Sequence, residues 1–170
     1  LYVTIALTSS YLLMSIYLLF FKNKYKEKIA KEKDLPFVTI QIPTYNELAA
    51  LNCAKRCLDF DYPKSKYEIL IGDDSSDKSK TKKINLFAKN YKRVKVTRRG
   101  GNAGFKPGNL NHMLKFTKGE YIVIFDSDFL PEKDFLKRII SPFVFDKKLH
   151  ATQARWVTKN FSQNLASIVG

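Results

Sequence analysis

Between Pro36 and His150 the chain alternates short apolar or β-branched runs with longer segments of helical periodicity, and no other feature restricts the fold as strongly. The strand-like runs are residues 37–42, 68–71 (stopped by Gly72), 94–97, 121–125 and a possible fifth run at 151–157. The helical segments are residues 47–58, 78–91, a helix with Pro107 in its first turn that ends near Gly119, and 131–145. Alternating strands and helices imply right-handed crossovers and a mainly parallel sheet. The continuous apolar run at 121–125 is typical of a strand covered on both faces. We therefore predict an α/β, Rossmann-like sheet flanked by helices.

Residues 1–21 contain no charged side chain. As a helix they would extend about 31 Å, enough to cross the hydrocarbon core of a bilayer. A signal peptide is disfavoured, because no basic residue precedes the segment and no small-residue cleavage site follows it. A buried helix of a soluble domain remains an alternative. Six lysines follow within residues 22–34. Because such flanking charge stays on the cytoplasmic side, we expect a transmembrane helix with the rest of the chain in the cytoplasm.

The net charge of +14, from 30 basic and 16 acidic residues, points to an anionic partner. The lysines at 22–34 adjoin the apolar segment, which favours a membrane surface. The basic residues between 78 and 95 are typical of a solvated helix face. No nucleic-acid-binding motif is present, so we expect no nucleic-acid partner. Cys53 and Cys57 lie four residues apart without a neighbouring histidine, which fits buried core residues better than zinc ligands.

Three of the predicted strands end in polar residues. In open α/β sheets, ligands bind beyond the carboxyl ends of the strands. The candidate substrate-binding residues at these ends are Thr44, Tyr45 and Glu47 after the first strand, Asp73 and Asp74 after the second, and Asp126, Ser127 and Asp128 after the fourth. Polar residues at three corresponding ends predict one shared site.

The triplet Asp126-Ser127-Asp128 is the strongest candidate in this set. In extended backbone, residues two apart point the same way, so both carboxylates would face one ligand. Oxygen ligands suit Mg²⁺ or Mn²⁺, and such an ion can neutralise the diphosphate of a leaving nucleotide. The alternative is an acidic turn without a ligand.

Two further segments carry candidate binding residues. Asp77 directly precedes a lysine-rich helix and fits its N-cap, which leaves Asp73 and Asp74 free to bind a base or ribose. The glycine-rich loop at 98–108 leads into a helix N-terminus, where Lys106 is placed to contact phosphate. Its spacing matches neither a Walker loop nor a dinucleotide fingerprint. The alternative is a structural loop with basic surface residues.

Four segments, taken in order, resemble the inverting family 2 glycosyltransferases, in particular the cellulose synthase-like and glucomannan synthase-like membrane enzymes. They are VTIQIPTYNE (38–47), IGDDSSD (71–77), KPGNLN (106–111) and FDSD (125–128). The resemblance implies a GT-A fold on the cytoplasmic side of a plasma or inner membrane. It also implies a UDP- or GDP-sugar donor and transfer of a hexose with inversion to a glycan or lipid acceptor. Its residue assignments are nucleotide contacts from Thr44, Tyr45, Glu47 and Asp74, diphosphate contact near Lys106, and metal binding by Asp128 with Asp126 beside the nucleotide.

Two features of that family have no counterpart here. The general base and the acceptor-binding Gln-x-x-Arg-Trp are expected after Gly170, so we interpret the chain as a C-terminally truncated enzyme that binds donor and metal with little or no transfer. The QARW stretch at 153–156 resembles a segment that follows the metal-binding strand in glucomannan synthase-like members. The predicted organisation is a transmembrane helix at 1–21, a basic linker at 22–35, a donor-binding GT-A half-domain at 36–160 and the start of a helix at 161–170. The alternative is a non-catalytic membrane module that binds nucleotide or anionic lipid.

Overall fold

The computed structural model describes residues 2–20 and 27–154. Five α-helices and four β-strands are present in these ranges. They are α1 (Tyr2–Phe20), β1 (Val38–Thr44), α2 (Ala49–Leu58), β2 (Tyr67–Asp73), α3 (Lys78–Lys89), β3 (Val94–Thr97), α4 (Phe105–Leu114), β4 (Tyr121–Ile124) and α5 (Phe135–Phe145). A single 3₁₀ turn at Glu32–Asp34 precedes β1. Within the described ranges, no helix has the length and hydropathy needed to cross a membrane.

The described strands form one parallel sheet in the order β3-β2-β1-β4. The chain therefore builds outward from β1 through β2 to β3, and then returns to place β4 on the other side of β1. The direction of winding reverses between β1 and β4, and this reversal opens a crevice at the carboxyl ends of these two strands. The predicted α/β architecture with a parallel, helix-flanked sheet is confirmed.

The core lies on one face of the sheet, where alternate residues of β1 point. Val38, Ile40 and Ile42 are fully buried there, and they pack in one cluster with residues of α2, α3 and α5. Cys53 and Cys57 of α2 belong to this cluster as free, buried thiols, as predicted. Desolvation by burial raises the pKa of Cys57. Both cysteines are therefore part of the packed core.

The second strand continues beyond its predicted end at Gly72. Strand β2 includes Gly72 and Asp73, which pair with Pro43 and Thr44 of β1. Glycine at position 72 also permits a close approach by α4. A Cβ on Gly72 would lie 2.1 Å from Asn109 Oδ1 and 2.8 Å from Met113 Sδ. Asn109 Nδ2 donates a hydrogen bond of 2.8 Å to the carbonyl of Gly72. The glycine therefore marks a contact between β2 and α4, and the strand prediction was wrong at this end.

The prediction that the apolar run at 121–125 is covered on both faces was also wrong. Strand β4 is at the edge of the described sheet, and Ile122 and Ile124 are 39% and 52% exposed. Helix α4 packs on β1 and β2, and among the described elements it is not placed over this face of β4. A continuous apolar run does not by itself distinguish a central strand from an edge strand.

Most other boundaries shift by a few residues. Asp77 caps α3 as predicted, accepting hydrogen bonds from the backbone of Ser79 at 2.8 Å and Lys80 at 3.3 Å. Helix α4 ends at Leu114 instead of near Gly119, and α5 begins at Phe135 instead of residue 131. Of the possible strand at 151–157, residues 151–154 form no strand, and the rest lies outside the described residues.

Candidate active site

A cleft of about 580 Å³ opens at the carboxyl ends of β1 and β4, at the reversal of winding. Its lining comes from four parts of the chain that are distant in sequence. The lining residues are Pro43, Thr44, Tyr45, Glu47, Asp74, Asn102, Phe105, Lys106, Asn109, Asp126, Ser127 and Asp128. Eight of the nine residues singled out from the sequence are therefore gathered in one place. The ninth, Asp73, is not part of the lining.

The loop after β1 is held in shape by Asn46, which adopts a positive φ of 53°. Asparagine tolerates this left-handed conformation better than most residues. Its side chain donates to Ser76 Oγ at 2.9 Å and accepts from the backbone of Asp77 at 3.0 Å. Asn46 thereby joins the loop after β1 to the loop after β2. The neighbouring residues Tyr45 and Glu47 line the cleft on either side of this junction.

The two aspartates at the end of β2 are each paired with an arginine that follows β3. Arg98 donates to Asp73 Oδ2 at 2.6 and 3.0 Å, and the Asp73 side chain has no exposed surface. Burial opposes ionisation of Asp73. Hydrogen bonds from Ser75 and Arg98 outweigh this effect and hold the pKa of Asp73 below its ordinary value. Asp73 is thus committed to its neighbours and is a support for the strand end.

Arg99 holds Asp74 and the glycine-rich loop together. Its guanidinium contacts both carboxylate oxygens of Asp74, at 2.6 to 3.1 Å, and it also donates to the carbonyls of Ala103 and Phe105. The side chains of Arg99 and Asp74 are 14% and 4% exposed. Gly108 makes room for this contact, since a Cβ there would lie 2.5 Å from Arg99 Nη1. Asp74 therefore presents only a small edge to the cleft, in an orientation fixed by Arg99.

The glycine-rich loop turns into α4 through two residues with positive φ, Gly104 at 69° and Phe105 at 47°. Lys106 consequently lies in the first turn of α4, where unpaired backbone N–H groups and the helix dipole favour an anion. The Lys106 ammonium donates to the Asp126 carboxylate across the cleft. These two side chains are 49% and 38% exposed, so the pair remains accessible to a ligand.

The acidic triplet after β4 lies in a turn, so the extended backbone assumed in the sequence argument was wrong. Phe129 N donates to the Asp126 carbonyl at 3.0 Å, which closes this turn. Both Asp126 and Asp128 nevertheless line the cleft. The buried Ser127 hydroxyl donates to the Glu47 carboxylate, and this contact joins the ends of β1 and β4.

The donor set in the cleft fits a divalent cation that is shared with a ligand. No group of three or more His, Cys, Asp or Glu residues in the described part of the chain is arranged to hold a metal alone. Asp126 and Asp128 supply carboxylate oxygens, which suit Mg²⁺ and Mn²⁺. Mg²⁺ is commonly bound by one or two carboxylates with substrate phosphates and water completing its coordination. Asp126 and Asp128 would supply only part of such a coordination shell.

Several lining or supporting residues were not found from the sequence. They are Asn46, Arg98, Arg99, Asn102, Phe105 and Asn109. The arginines carried a detectable signal, because Arg98-Arg99 directly follows β3 and Asp73-Asp74 ends the preceding strand. Once β2 and β3 are known to be neighbours, the opposite charges at their ends predict these ion pairs.

Comparisons with known proteins agree on one family. The family model described as glycosyl transferase family 2 matches residues 39–165. A β-monoglucosyldiacylglycerol synthase of Nostoc sp. is 36% identical over 132 residues, which cover 76% of this chain and 28% of that relative. Cellulose synthase 2 of Novacetimonas hansenii is 36% identical over 143 residues, covering 81% and 9%. A probable glucomannan 4-β-mannosyltransferase of Oryza sativa is 33% identical over 145 residues, covering 80% and 25%. The matched part of the chain thus corresponds to between 9% and 28% of the length of these relatives.

Solved structures show the same fold. The mannosyltransferase PcManGT of Pyrobaculum calidifontis, in complex with GDP-Man and Mn²⁺, is similar at a TM-score of 0.63 and 27% identity, covering 82% of this chain and 42% of that one. S. aureus TarS in complex with UDP-GlcNAc is similar at a TM-score of 0.57 and 25% identity, covering 75% and 38%.

Proposed function

Since the chain belongs to glycosyl transferase family 2, we propose that its cleft binds a nucleotide-sugar donor, a UDP- or GDP-hexose, together with Mg²⁺ or Mn²⁺. The observation that carries this proposal is the convergence of Thr44, Asp74, Lys106 and Asp128 on one cleft at the reversal of the sheet. Ligands of open α/β sheets bind at such a point. PcManGT binds GDP-Man and Mn²⁺, and TarS binds UDP-GlcNAc, which supports a donor of this class.

In this proposal the ends of β1 and β2 bind the nucleoside. Thr44, Tyr45, Glu47 and Asp74 line this part of the cleft, with Asp74 next to Thr44 and held in place by Arg99. An oriented carboxylate can accept hydrogen bonds from a base or a ribose. Tyr45 is 49% exposed and offers a ring face against which a base can stack.

The diphosphate would lie between Lys106 and the acidic triplet. Lys106 supplies a positive charge from the first turn of α4, and Asp126 and Asp128 would hold the metal ion. A bound divalent cation lowers the energy of the charge that develops on the departing nucleoside diphosphate. Inverting transfer to a glycan or lipid hydroxyl also needs a general base, which we do not place among the described residues.

Calorimetry tests the donor site directly. UDP-glucose and GDP-mannose are titrated with and without Mn²⁺, and at least one should bind in a metal-dependent way. Asp128→Ala should abolish the metal dependence. Asp61→Asn is the matched control, because Asp61 is 62% exposed and does not line the cleft. Absence of metal-dependent binding for every nucleotide sugar would refute the proposal.

We also propose that the protein associates with a membrane through its N-terminal part. Helix α1 has no charged residue and exposes large apolar side chains along its length, including Tyr2, Leu13 and Leu19 at 86%, 66% and 76%. Exposed apolar surface of this extent is typical of a membrane or protein contact. The protein should co-sediment with phospholipid vesicles, and it should remain in the supernatant when residues 2–20 are deleted. Recovery of the intact chain in the supernatant with every vesicle composition would contradict membrane association.

A further inference from the structure

A second recess, of about 450 Å³, lies at the opposite end of the strands from the cleft. It is lined by Lys28, Ile29, Lys31, Lys33, Asp34 and Phe145. All but Phe145 belong to the segment that enters β1, and Phe145 ends α5. The recess is therefore at the amino ends of the strands, whereas the cleft is at their carboxyl ends.

The segment that forms the recess is fixed to the domain and is not a loose linker. The Ala30 N–H donates to Ser141 Oγ of α5 at 2.9 Å, and Glu27 pairs with Arg138 at 2.7 Å. Lys66 Nζ donates to three carbonyls of the segment, those of residues 32, 33 and 35, at 3.2, 2.9 and 2.8 Å. Leu35 is 2% exposed in the core. The backbone that carries the recess lysines is consequently held against the domain.

The charges of the recess are only partly compensated. Lys28, Lys31 and Lys33 are exposed and form no ion pair with any residue in the described part of the chain. The lining contains one acidic residue, Asp34, so three positive charges and one negative charge leave a net charge of +2. The recess therefore favours an anion.

Apolar surface accompanies this charge. Ile29 and Phe145 are 46% and 55% exposed beside the lysines. A free phosphate ion would gain nothing from these two side chains. A phospholipid offers both a phosphate for the lysines and acyl chains for the apolar residues, which is the combination used by protein segments at the bilayer interface.

We propose that this recess binds the headgroup of an anionic phospholipid at the bilayer surface, with Lys28, Lys31 and Lys33 at the phosphate and Ile29 and Phe145 at the edge of the acyl region. The recess follows α1 in the chain, so both surfaces would meet one bilayer. The inference rests on the proposed membrane association and adds to it a site and a lipid class.

Vesicle co-sedimentation with a charge-matched control tests the site. The intact chain is mixed with phosphatidylcholine vesicles with and without phosphatidylglycerol. Replacing Lys28, Lys31 and Lys33 by glutamine should remove most of the binding that depends on phosphatidylglycerol, a weakening on the order of 100-fold. The control replaces Lys78, Lys82 and Lys83 of α3 by glutamine. These lysines are also exposed, and the replacement removes the same amount of charge. The control should weaken this binding several-fold less.

An equal effect of both triple variants would overturn the proposal, because net charge alone would then explain binding. Unchanged phosphatidylglycerol dependence in the first triple variant would overturn it as well. Ile29→Ser with Phe145→Ser keeps every charge and should also weaken the binding to these vesicles. Full binding by that pair of changes would contradict insertion at the acyl edge. Calorimetry with nucleotide sugars on the same variants should show unaltered donor affinity, so a failed lipid site and a failed donor site are distinguished.

Discussion

Replacing Gly72 by alanine tests the contact that holds α4, and with it Lys106, against the sheet. The new methyl group would occupy the position now taken by Asn109 Oδ1, which is 2.1 Å from an ideal Cβ, and would press on Met113 Sδ at 2.8 Å. Both neighbours are buried, so the new methyl group must displace packed atoms. The Asn109 amide must therefore rotate away from the strand.

The expected loss of stability has two parts. Inserting a methyl group into a packed interior destabilises by about 1–3 kcal/mol. Loss of the hydrogen bond from Asn109 to the Gly72 carbonyl adds about 1 kcal/mol. The free energy of unfolding should therefore fall by about 2–4 kcal/mol, which lowers the urea midpoint by roughly 1–2 M at an m-value near 2 kcal/mol/M.

Urea denaturation monitored by circular dichroism measures this change. Gly101→Ala is the control, because no atom lies within 4 Å of its ideal Cβ, and its stability should change by less than about 0.5 kcal/mol. Combining Gly72→Ala with Asn109→Ala should destabilise less than the sum of the single changes, because both act on one contact. A Gly72→Ala protein as stable as the parent would refute the assigned packing of α4 on β2.

Three other predictions concern the support of the site and the core. The pKa of Asp73 is lowered in the folded state, so its stabilising contribution is present above its unfolded value of about 3.9 and is lost as pH falls through the folded pKa. Urea denaturation should therefore show that Asp73→Asn destabilises the protein at pH 7 and progressively less in acid. A loss of stability that does not depend on pH would contradict this. Arg99→Gln should weaken calorimetric donor binding on the order of tenfold while keeping its metal dependence, whereas Arg138→Gln, outside the cleft, should not change affinity. Burial and a raised pKa should keep Cys57 unreactive to a thiol reagent in the folded protein, with both cysteines reacting in urea; rapid reaction of the native thiols would show that α2 is less buried than described.

The order of the elements was predictable because each strand and helix carries its own periodicity. Local pattern also located the N-cap Asp77 and the convergence of three strand ends. It did not show that β2 continues through Gly72, since the pairing of Gly72 and Asp73 with β1 depends on the register between the two strands. The exposure of Ile122 and Ile124 could not be predicted from the local sequence either, because it depends on the position of β4 at the edge of the described sheet.

The candidate site was predictable in its membership and less so in its internal contacts. Residue type and position at strand ends predicted that Asp74 and Asp128 share a site, and the glycine-rich loop before a helix N-terminus predicted Lys106; all three line the cleft. They did not show that Asp73 forms an ion pair with Arg98. Predicting a pair between two strand ends requires knowing which strands are neighbours in the sheet. The turn at Asp126-Ser127-Asp128 was also not predicted, because it is closed by a backbone hydrogen bond from Phe129 to Asp126 that strand periodicity does not reveal.

The contact between Lys106 and Asp126 has a thermodynamic consequence for the proposed ligands. Each of these side chains neutralises the other while the cleft holds no donor, and an exposed pair of this kind contributes only about 0–1 kcal/mol. A cation that takes Asp126 releases Lys106, and a diphosphate that takes Lys106 releases Asp126. Binding of either ligand thus removes the competitor of the other. Metal ion and nucleotide sugar should therefore raise each other's affinity by the same factor, as linkage requires.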